Sequence, residues 1–180
     1  MKIYIDCDGV IIDSEKLLFG EEYYEQKRKG YIKSEKDKIK YVQNVDWSKL
    51  LKESEIINDS INILKSIKYD FTILTKIHSL TNEGVAKIKM FRELGIKNEI
   101  ILVPYIVGKQ DVVSAKNSIL IDDTVRNLDL WKNNGGISIY FNKDNLDIDG
   151  WNIENSEYPK ICNLNELNNI KKLIKTYNCN

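Results

Sequence analysis

Two acidic motifs hold the side chains of this sequence that are best suited to chemistry. Asp6 and Asp8 lie in the run IDCDGV. Asp122 and Asp123 end the run SILIDD. A carboxylate can accept a phosphoryl group, and a carboxyl group two residues further on can protonate the leaving oxygen and later activate water. The second acidic pair can supply the hard oxygen ligands that Mg²⁺ prefers.

Four other residues could complete a phosphate site. Thr75 ends the run YDFTILT, and its hydroxyl could bind a phosphate oxygen together with the ammonium group of Lys109. Lys76 follows Thr75 and is a further candidate for substrate binding. Gly9 allows the backbone to turn sharply and to approach a ligand closely. Each residue alone is compatible with an ordinary turn, strand end or surface charge, so the functional interpretation depends on their combination.

Short strands that alternate with helices are predicted to position these residues. Runs rich in β-branched and aromatic residues predict strands over residues 2–6, 69–75, 99–103, 118–122, 137–141 and 159–164. Helical periodicity covers residues 79–94, 124–134 and 165–177, and the first of these helices places Val85, Ile88, Phe91 and Leu94 on one apolar face. This alternation predicts an α/β, Rossmann-like parallel sheet, and its carboxyl edge is where ligands bind.

One stretch of the chain interrupts the alternation. From residue 14 to about residue 67 the sequence shows no clear strand, and its apolar residues have helical spacing. We therefore predict a small helical cap at residues 14–67, inserted after the first strand, and an α/β core formed by residues 1–13 and 68–180. Phe19, Tyr23 and Trp47 in this insert are candidates to stack on a nucleobase, although such residues often only hold a small cap together.

Charge and composition argue against several classes of protein. The chain has 27 lysines and arginines and 27 aspartates and glutamates, so its formal net charge is zero. This balance gives no overall electrostatic attraction to a nucleic-acid polymer or an anionic membrane. No apolar run approaches the roughly 20 residues that a membrane span needs, and we recognise no signal peptide. Cys7, Cys162 and Cys179 are too widely spaced to suggest a metal site or a disulfide framework. We expect a cytoplasmic protein, and its oligomeric state stays open.

The order of the motifs resembles that of the haloacid dehalogenase superfamily of phosphatases. The sequence has DCDGV first, then a strand that ends in threonine, then a lysine, and then IDD. The segments ILIDDTVRNL and VPYIVGK, the following Trp131 and Gly135-Gly136, and the position of the insert resemble the 5'(3')-deoxyribonucleotidase-like group. The resemblance implies a Mg²⁺-dependent phosphomonoester hydrolase with an aspartyl-phosphate intermediate, which acts on a small phosphorylated substrate such as a nucleoside monophosphate.

The resemblance also implies roles for the acidic residues. Asp6 corresponds to the nucleophile and Asp8 to the general acid and base. Asp122 and Asp123 correspond to the metal-binding acids of the fourth motif, and Asp122 is preferred to Asp123 as the direct ligand. The Asp6 carboxylate and the backbone carbonyl of Asp8 would complete the protein's share of the Mg²⁺ shell.

The phosphate-binding roles follow in the same way. Thr75 corresponds to the phosphate binder of the second motif, and Lys109 to the lysine of the third. Lys76, Lys87 and Lys116 are alternatives for the lysine, but Lys109 is preferred because it follows a strand and a loop.

Other functions and residues were weighed against this interpretation. The substrate could instead be a sugar phosphate or another small phosphorylated metabolite. A receiver-type phosphoryl switch would carry its acidic motifs in a different order, and a non-catalytic binding protein would be expected to have lost a motif residue. His78, the single histidine, is expected near the mouth of the site, and Cys7 is interpreted as a small filler at a strand end.

Overall fold

The core of the protein is a parallel six-stranded sheet with the strand order β5-β4-β1-β6-β7-β8. The computed structural model describes residues 1–143, 158–170 and 174. The strands, numbered along the chain, are β1 (Lys2–Ile5), β2 (Ile12–Asp13), β3 (Glu55–Ile56), β4 (Phe71–Ile77), β5 (Glu99–Pro104), β6 (Ser118–Asp122), β7 (Ile137–Phe141) and β8 (Lys160–Ile161). The two strands outside the sheet, β2 and β3, form a separate antiparallel ribbon. The sheet confirms the predicted α/β fold class.

The register of the central strands brings the predicted motifs to one edge. Ile5 at the end of β1 lies opposite Ile73 of β4 and Ile121 of β6. The backbone N–H of Asp6 then donates to the carbonyl of Ile121 at 2.9 Å. Because these strands are parallel and buried on both faces, they consist of nearly continuous apolar runs, and their polar residues collect where the runs end.

Helices cover both faces of the sheet. Those that follow β3 in the chain are α5 (Ser60–Ser66), α6 (Val85–Glu93), α7 (Lys109–Val112) and α8 (Val125–Asn133), with a π-helical turn at Leu80–Gly84 and 3₁₀ turns at Ile57–Asp59 and Leu164–Asn169. Leu128 and Trp131 of α8 pack with Tyr4 on one face. Phe91 of α6 packs with Ile3 and Ile5 on the other, because side chains alternate along β1.

Between the two ribbon strands the chain forms four helices, α1 (Glu15–Leu18), α2 (Glu21–Arg28), α3 (Glu35–Asn44) and α4 (Trp47–Glu53). The strand β3 was not predicted from the sequence. Ser60, the first residue of α5, donates from its hydroxyl to the carbonyl of Ile11 at 2.8 Å, and Leu64 is buried in the same apolar cluster as Ile3. The division of the chain into a cap at residues 14–67 and a core stays a prediction.

The predicted strands over residues 69–75 and 159–164 are instead Phe71–Ile77 and Lys160–Ile161, and two differences bear on the site. Strand β4 continues past Thr75, because Lys76 and Ile77 pair with Val103 and Pro104 of β5. The apolar face predicted for the helix over residues 79–94 is also displaced. Val85 is 56% exposed and Ile88 is 38% exposed, whereas Lys87 is fully buried.

Two predicted features reach beyond the residues that the structure describes. The helix expected over residues 165–177 is described only to residue 170 and at residue 174, and Cys179 lies outside the described part. Within the ranges that the structure does describe, no helix combines the length and the apolar character that crossing a membrane requires.

Replacing Leu128 tests how α8 is held against the sheet. Leu128 is fully buried, so Leu128→Ala should leave a cavity and lower the free energy of unfolding by about 2–5 kcal/mol. Val125 is 38% exposed on the same helix, and Val125→Ala should change it by less than about 1 kcal/mol. Urea unfolding of both variants measures the difference. Equal losses would show that α8 does not pack as described.

Candidate active site

The carboxyl edge of the sheet opens into a cleft of about 650 Å³. The core contributes Asp6, Asp8 and Asp123 to its lining, and the helices between β2 and β3 contribute Phe19 and Trp47. The cleft therefore lies between the sheet edge and the helices that connect β2 to β3, and three of the four acidic residues predicted from the sequence line it.

Lys109 joins the first acidic motif to the second. Its ammonium nitrogen lies 2.9 Å from Asp6 Oδ1 and 2.6 Å from Asp122 Oδ2, and the side chain is 1% exposed. Burial alone would lower the pKa of Lys109, but the carboxylates of Asp122 and Asp6 outweigh it and raise that pKa. Lys109 is therefore a permanent positive charge beside the predicted nucleophile.

The Asp122 carboxylate is held by several donors. Besides Lys109, it accepts hydrogen bonds from the backbone N–H of Thr124 at 2.9 Å and from the Asn127 amide at 3.1 Å to each oxygen. Asn127 lies on α8 within the ILIDDTVRNL segment. It was not predicted as a site residue, because nothing in that segment distinguishes it from its neighbours. Because Asp122 uses much of its acceptor capacity within the protein, it acts here as a fixed anchor for Lys109.

Asp123 has more free acceptor capacity and faces the cleft. Its carboxylate accepts one long hydrogen bond, from the Thr124 hydroxyl at 3.4 Å. It also lies against Gly9, which has a φ of +74°, and a Cβ atom built on Gly9 would lie 1.9 Å from Asp123 Oδ2. Glycine is thus required at this position for two reasons, its backbone conformation and the close approach of Asp123.

Asp6, Asp122 and Asp123 form a group that could hold a metal ion. One carboxylate oxygen from each lies within 4.8 Å of the others. Burial raises the pKa of Asp6 to about 7, with Lys109 opposing the rise and Asp122 and Asp8 adding to it. Burial, Asp122 and Asp6 raise the pKa of Asp123 well above its ordinary value. A hard divalent cation such as Mg²⁺ suits these oxygen donors and would relieve their mutual repulsion.

Asp8 is held apart from this group by different partners. Lys87 Nζ lies 2.5 Å from Asp8 Oδ2, and the Ser14 hydroxyl donates to Asp8 Oδ1. Burial alone would raise the pKa of Asp8, but the charge of Lys87 and the hydrogen bonds from Lys87 and Ser14 outweigh it, so that pKa lies below its ordinary value. The sequence did not identify Ser14, because a serine after a strand usually only begins a helix.

The other predicted polar residues lie at different distances from the cleft. Thr75 is fully buried, and its hydroxyl lies 3.1 Å from Lys87 Nζ and 3.4 Å from Asp8 Oδ2, beneath the cleft lining. Lys76 does line the cleft. Of the alternative lysines, Lys87 contacts Asp8, and Lys116 is exposed before β6, at the opposite edge of the sheet.

The aromatic residues proposed for base stacking are placed unequally. Phe19 and Trp47 line the cleft, but Trp47 is 2% exposed and its indole N–H donates to the carbonyl of Val42 at 2.8 Å. Tyr23 packs edge-on against Phe19 in the cap interior and does not line the cleft. Tyr105 was missed, because nothing in the sequence distinguishes it as a loop residue at the site.

Tyr105 and His78 form a stacked pair at the cleft, with ring centroids 4.2 Å apart. Lys76 Nζ lies 5.8 Å from the centre of the Tyr105 ring. His78 is thus near the mouth of the site. Cys7 is fully buried, and burial raises the pKa of its thiol well above the ordinary value, which leaves an unreactive thiol.

Comparison with known proteins shows the fold. No family model matches the chain, and no curated protein matches it. A predicted phosphatase from Clostridium acetobutylicum is 14% identical with a TM-score of 0.64, and the match covers 97% of this chain and 98% of that one. The magnesium-bound HAD-hydrolase YfnB from Bacillus subtilis is 14% identical with a TM-score of 0.59, over 94% and 97% of the two chains.

A third solved structure extends the same likeness. A phosphonoacetaldehyde hydrolase-like protein from Oleispira antarctica is 14% identical with a TM-score of 0.57, and the match covers 99% of this chain and 92% of that one. At these identities the likeness concerns the fold: this chain has a haloacid dehalogenase-like α/β core.

The raised pKa of Asp6 predicts how stability depends on pH. Asp6 has a pKa of about 7 in the folded protein against an ordinary value of 3.8, so between these values the folded state keeps a proton that the unfolded state has lost. The contribution of Asp6 to the free energy of unfolding should therefore fall as pH rises from about 4 to about 7. Urea unfolding of metal-free protein across this window measures it.

Asp6→Asn is the control for this effect, because an amide does not titrate. The variant should lose the part of the pH dependence that Asp6 causes, and Mg²⁺ should flatten the wild-type curve near pH 7 because a bound cation favours the ionised carboxylate. Identical pH dependence in wild type and Asp6→Asn would contradict the prediction.

Proposed function

We propose that this protein is a Mg²⁺-dependent phosphomonoester hydrolase that forms an aspartyl-phosphate on Asp6. The proposal rests on the arrangement of charged side chains around Asp6. A buried lysine lies 2.9 Å from its carboxylate, and two further carboxylates lie close enough to share a cation with it. Such a group of opposed charges at the carboxyl edge of a parallel sheet suits an incoming phosphate dianion.

Asp6 is oriented for attack by its own hydrogen bonds. Its Oδ1 accepts from the backbone N–H of Cys7 at 2.8 Å and lies beside Lys109. Among the described residues Oδ2 has no hydrogen-bond partner, so it is the oxygen that can attack phosphorus. Attack forms the Asp6–phosphorus bond as the bond from phosphorus to the leaving oxygen breaks.

Lys109 can bind the phosphate while it holds Asp6. An ammonium group has three N–H donors, and in the described part of the chain Lys109 uses two of them, on Asp6 and Asp122. The third can donate to a non-bridging oxygen of the phosphate. Lys76 lines the same cleft and can add a second positive charge.

Asp8 supplies the proton transfers in this scheme. It lines the cleft two residues after the nucleophile, and it would protonate the leaving oxygen and then take a proton from the water that hydrolyses the aspartyl-phosphate. Mg²⁺ held by Asp6, Asp122 and Asp123 would offset the repulsion between these carboxylates and the phosphate. The free acceptor capacity of Asp123 favours it as a direct ligand alongside the predicted Asp122.

The substrate we favour is a nucleoside monophosphate, as in a 5'-nucleotidase of the deoxyribonucleotidase type. The rings of Phe19 and Tyr105 are among those that line a cleft whose volume suits a ligand of this size. Stacking of a base on such a ring is worth about 1–3 kcal/mol. The zero net charge favours a small substrate over a nucleic-acid polymer or a membrane, and we expect the enzyme to act in the cytoplasm.

The second candidate is a sugar phosphate or another small phosphorylated metabolite. It is favoured by the polar side chains Lys38, Gln110 and Arg126, which line the cleft and could hydrogen-bond hydroxyl groups. Both candidates use the same chemistry at Asp6 and differ in what the cap side of the cleft binds.

A substrate panel tests the activity and separates the two candidates. Phosphate release from nucleoside monophosphates, sugar phosphates and 4-nitrophenyl phosphate should require Mg²⁺ and should stop when a chelator is added. Nucleoside monophosphates should have the highest kcat/KM, and Phe19→Ala should reduce that advantage. A preference for sugar phosphates would reject the nucleotidase assignment, and no release from any ester would reject the hydrolase.

The covalent intermediate can be located by mass spectrometry. Asp6→Asn should abolish turnover because an amide is a poor nucleophile. Asp8→Asn should lose about 10²- to 10⁴-fold in hydrolysis, and with 4-nitrophenyl phosphate it should accumulate phosphoenzyme because the second step lacks a base. After an acid quench, the phosphate should lie on the peptide that contains Asp6. Phosphate on any other residue would contradict the mechanism.

A further inference from the structure

Lys87 is a second buried lysine. Whereas Lys109 contacts Asp6 and Asp122, Lys87 contacts Asp8. Its side chain is 0% exposed, and four oxygens lie within hydrogen-bond distance of Nζ. They are Asp8 Oδ2 at 2.5 Å, Glu83 Oε1 at 2.7 Å, the Lys76 carbonyl at 3.0 Å and Thr75 Oγ1 at 3.1 Å. An ammonium group has only three N–H donors, fewer than these four acceptors, so Lys87 has no donor left for a substrate.

Glu83 and Trp47 fix Lys87 from two sides. Glu83 is 2% exposed, lies one helical turn before Lys87 and accepts from the backbone N–H of His78 at 2.7 Å. The Trp47 ring of α4 lies 5.3 Å from Lys87 Nζ, which places a cap residue over the ammonium group. The lysine is therefore held in one position before any substrate binds.

This arrangement gives the two carboxylate oxygens of Asp8 different hydrogen-bond partners. Lys87 Nζ and the Thr75 hydroxyl both lie within hydrogen-bond distance of Oδ2. In the described residues the Ser14 hydroxyl is the hydrogen-bond partner of Oδ1, and a hydroxyl can rotate away. Oδ1 is thus the oxygen that can reach a bound ester.

We propose that Lys87, anchored by Glu83, is the positioning residue of the general acid and holds Asp8 so that Oδ1 exchanges protons with the substrate. The inference rests on the proposed hydrolase function. In the first step Oδ1 takes up a proton as the phosphate dianion binds beside it, and this proton passes to the leaving oxygen as the ester bond breaks and the bond from Asp6 to phosphorus forms. In the second step Oδ1 takes a proton from water as that water attacks phosphorus and the bond to Asp6 breaks. Release of phosphate and of this proton returns the enzyme to its starting form.

The dependence on the leaving group distinguishes this role from a structural one. A proton from Asp8 matters greatly for a basic alkoxide and little for a nitrophenolate. The test therefore compares 4-nitrobenzyl phosphate with 4-nitrophenyl phosphate, two esters of similar shape. The parameter compared is kcat/KM, because the hydrolysis of the phosphoenzyme is the same for both esters. A residue needed only for folding would reduce kcat/KM for both esters by the same factor.

The variant chosen must fold without the buried lysine. Lys87→Met alone leaves Glu83 and Asp8 without their cation, which can unfold the protein. The double variant Glu83→Gln with Lys87→Met removes one buried charge of each sign. Lys89→Met is the matched control, because Lys89 is on the same helix but 70% exposed and pairs with Glu93. Circular dichroism and urea unfolding establish that each variant folds.

We expect the double variant to lose about 10²-fold or more in kcat/KM with 4-nitrobenzyl phosphate and less than about tenfold in kcat/KM with 4-nitrophenyl phosphate, because kcat/KM reports the step that forms the phosphoenzyme and not its common hydrolysis. Lys89→Met should behave as wild type with both esters. Adding Asp8→Asn to the double variant should cost little more with the benzyl ester, because Lys87 acts through Asp8.

The outcomes separate the inference from the function on which it rests. An equal loss with both esters, or fully additive effects of the Asp8 and Lys87 changes, would overturn the positioning role while leaving the hydrolase intact. A wild-type protein that cleaves neither ester with Mg²⁺ would instead overturn the proposed function.

Discussion

Lys109 lies between the carboxylates of Asp6 and Asp122, and its buried ammonium group holds the two acidic motifs together. Without that charge, Asp6, Asp122 and Asp123 would bring up to three negative charges into a space from which water is largely excluded. The raised pKa values of Asp6 and Asp123 show that one lysine compensates these charges incompletely. A site with this remaining excess of negative charge is suited to a divalent cation, and it can then accept a phosphate.

The sheet makes this concentration of charge possible. Asp6 and Asp122 follow the apolar strands β1 and β6, whose register places the two residues side by side. The strands are fixed by burial on both faces, so the acids cannot move apart to relieve their repulsion. The positions of the charges are thus decided by the hydrophobic core, and their compensation is decided by the two buried lysines.

The sequence was sufficient to predict the parallel α/β sheet and the meeting of the motifs, because both follow from apolar runs that end in polar residues. The contact partners of each acid could not be predicted in the same way. Lys87 is the clearest case: in a helical pattern a lysine normally marks the solvent face, so Val85 and Ile88 were assigned to the interior. The structure turns this helix so that Glu83, Lys87 and Phe91 face inward, and the buried ammonium group of Lys87 is paired with the carboxylates of Glu83 and Asp8.

The residues that contact Asp8 only in the folded structure also could not be predicted from the sequence. Ser14 and Thr75 are far apart in the sequence from Lys87, and no spacing rule connects them. The same holds for Trp47, which looked like a base-stacking residue but has its indole N–H bound within the cap. A sequence shows which side chains can do chemistry, whereas the hydrogen bonds that orient them depend on side-chain packing between elements.

The two buried lysines, Lys109 and Lys87, differ in which elements of the fold hold the carboxylates that they contact. Lys109 and its partners Asp6 and Asp122 belong entirely to the sheet edge and the loops that follow it. Asp8, in contrast, is held by Ser14, which directly precedes α1, and by Lys87, which lies under Trp47 of α4. Asp6 is therefore placed by the sheet edge alone, while Asp8 is placed jointly by the sheet edge and by the helices between β2 and β3. In the proposed reaction this division couples the position of the general acid to the helices that contribute Phe19 and Trp47 to the cleft.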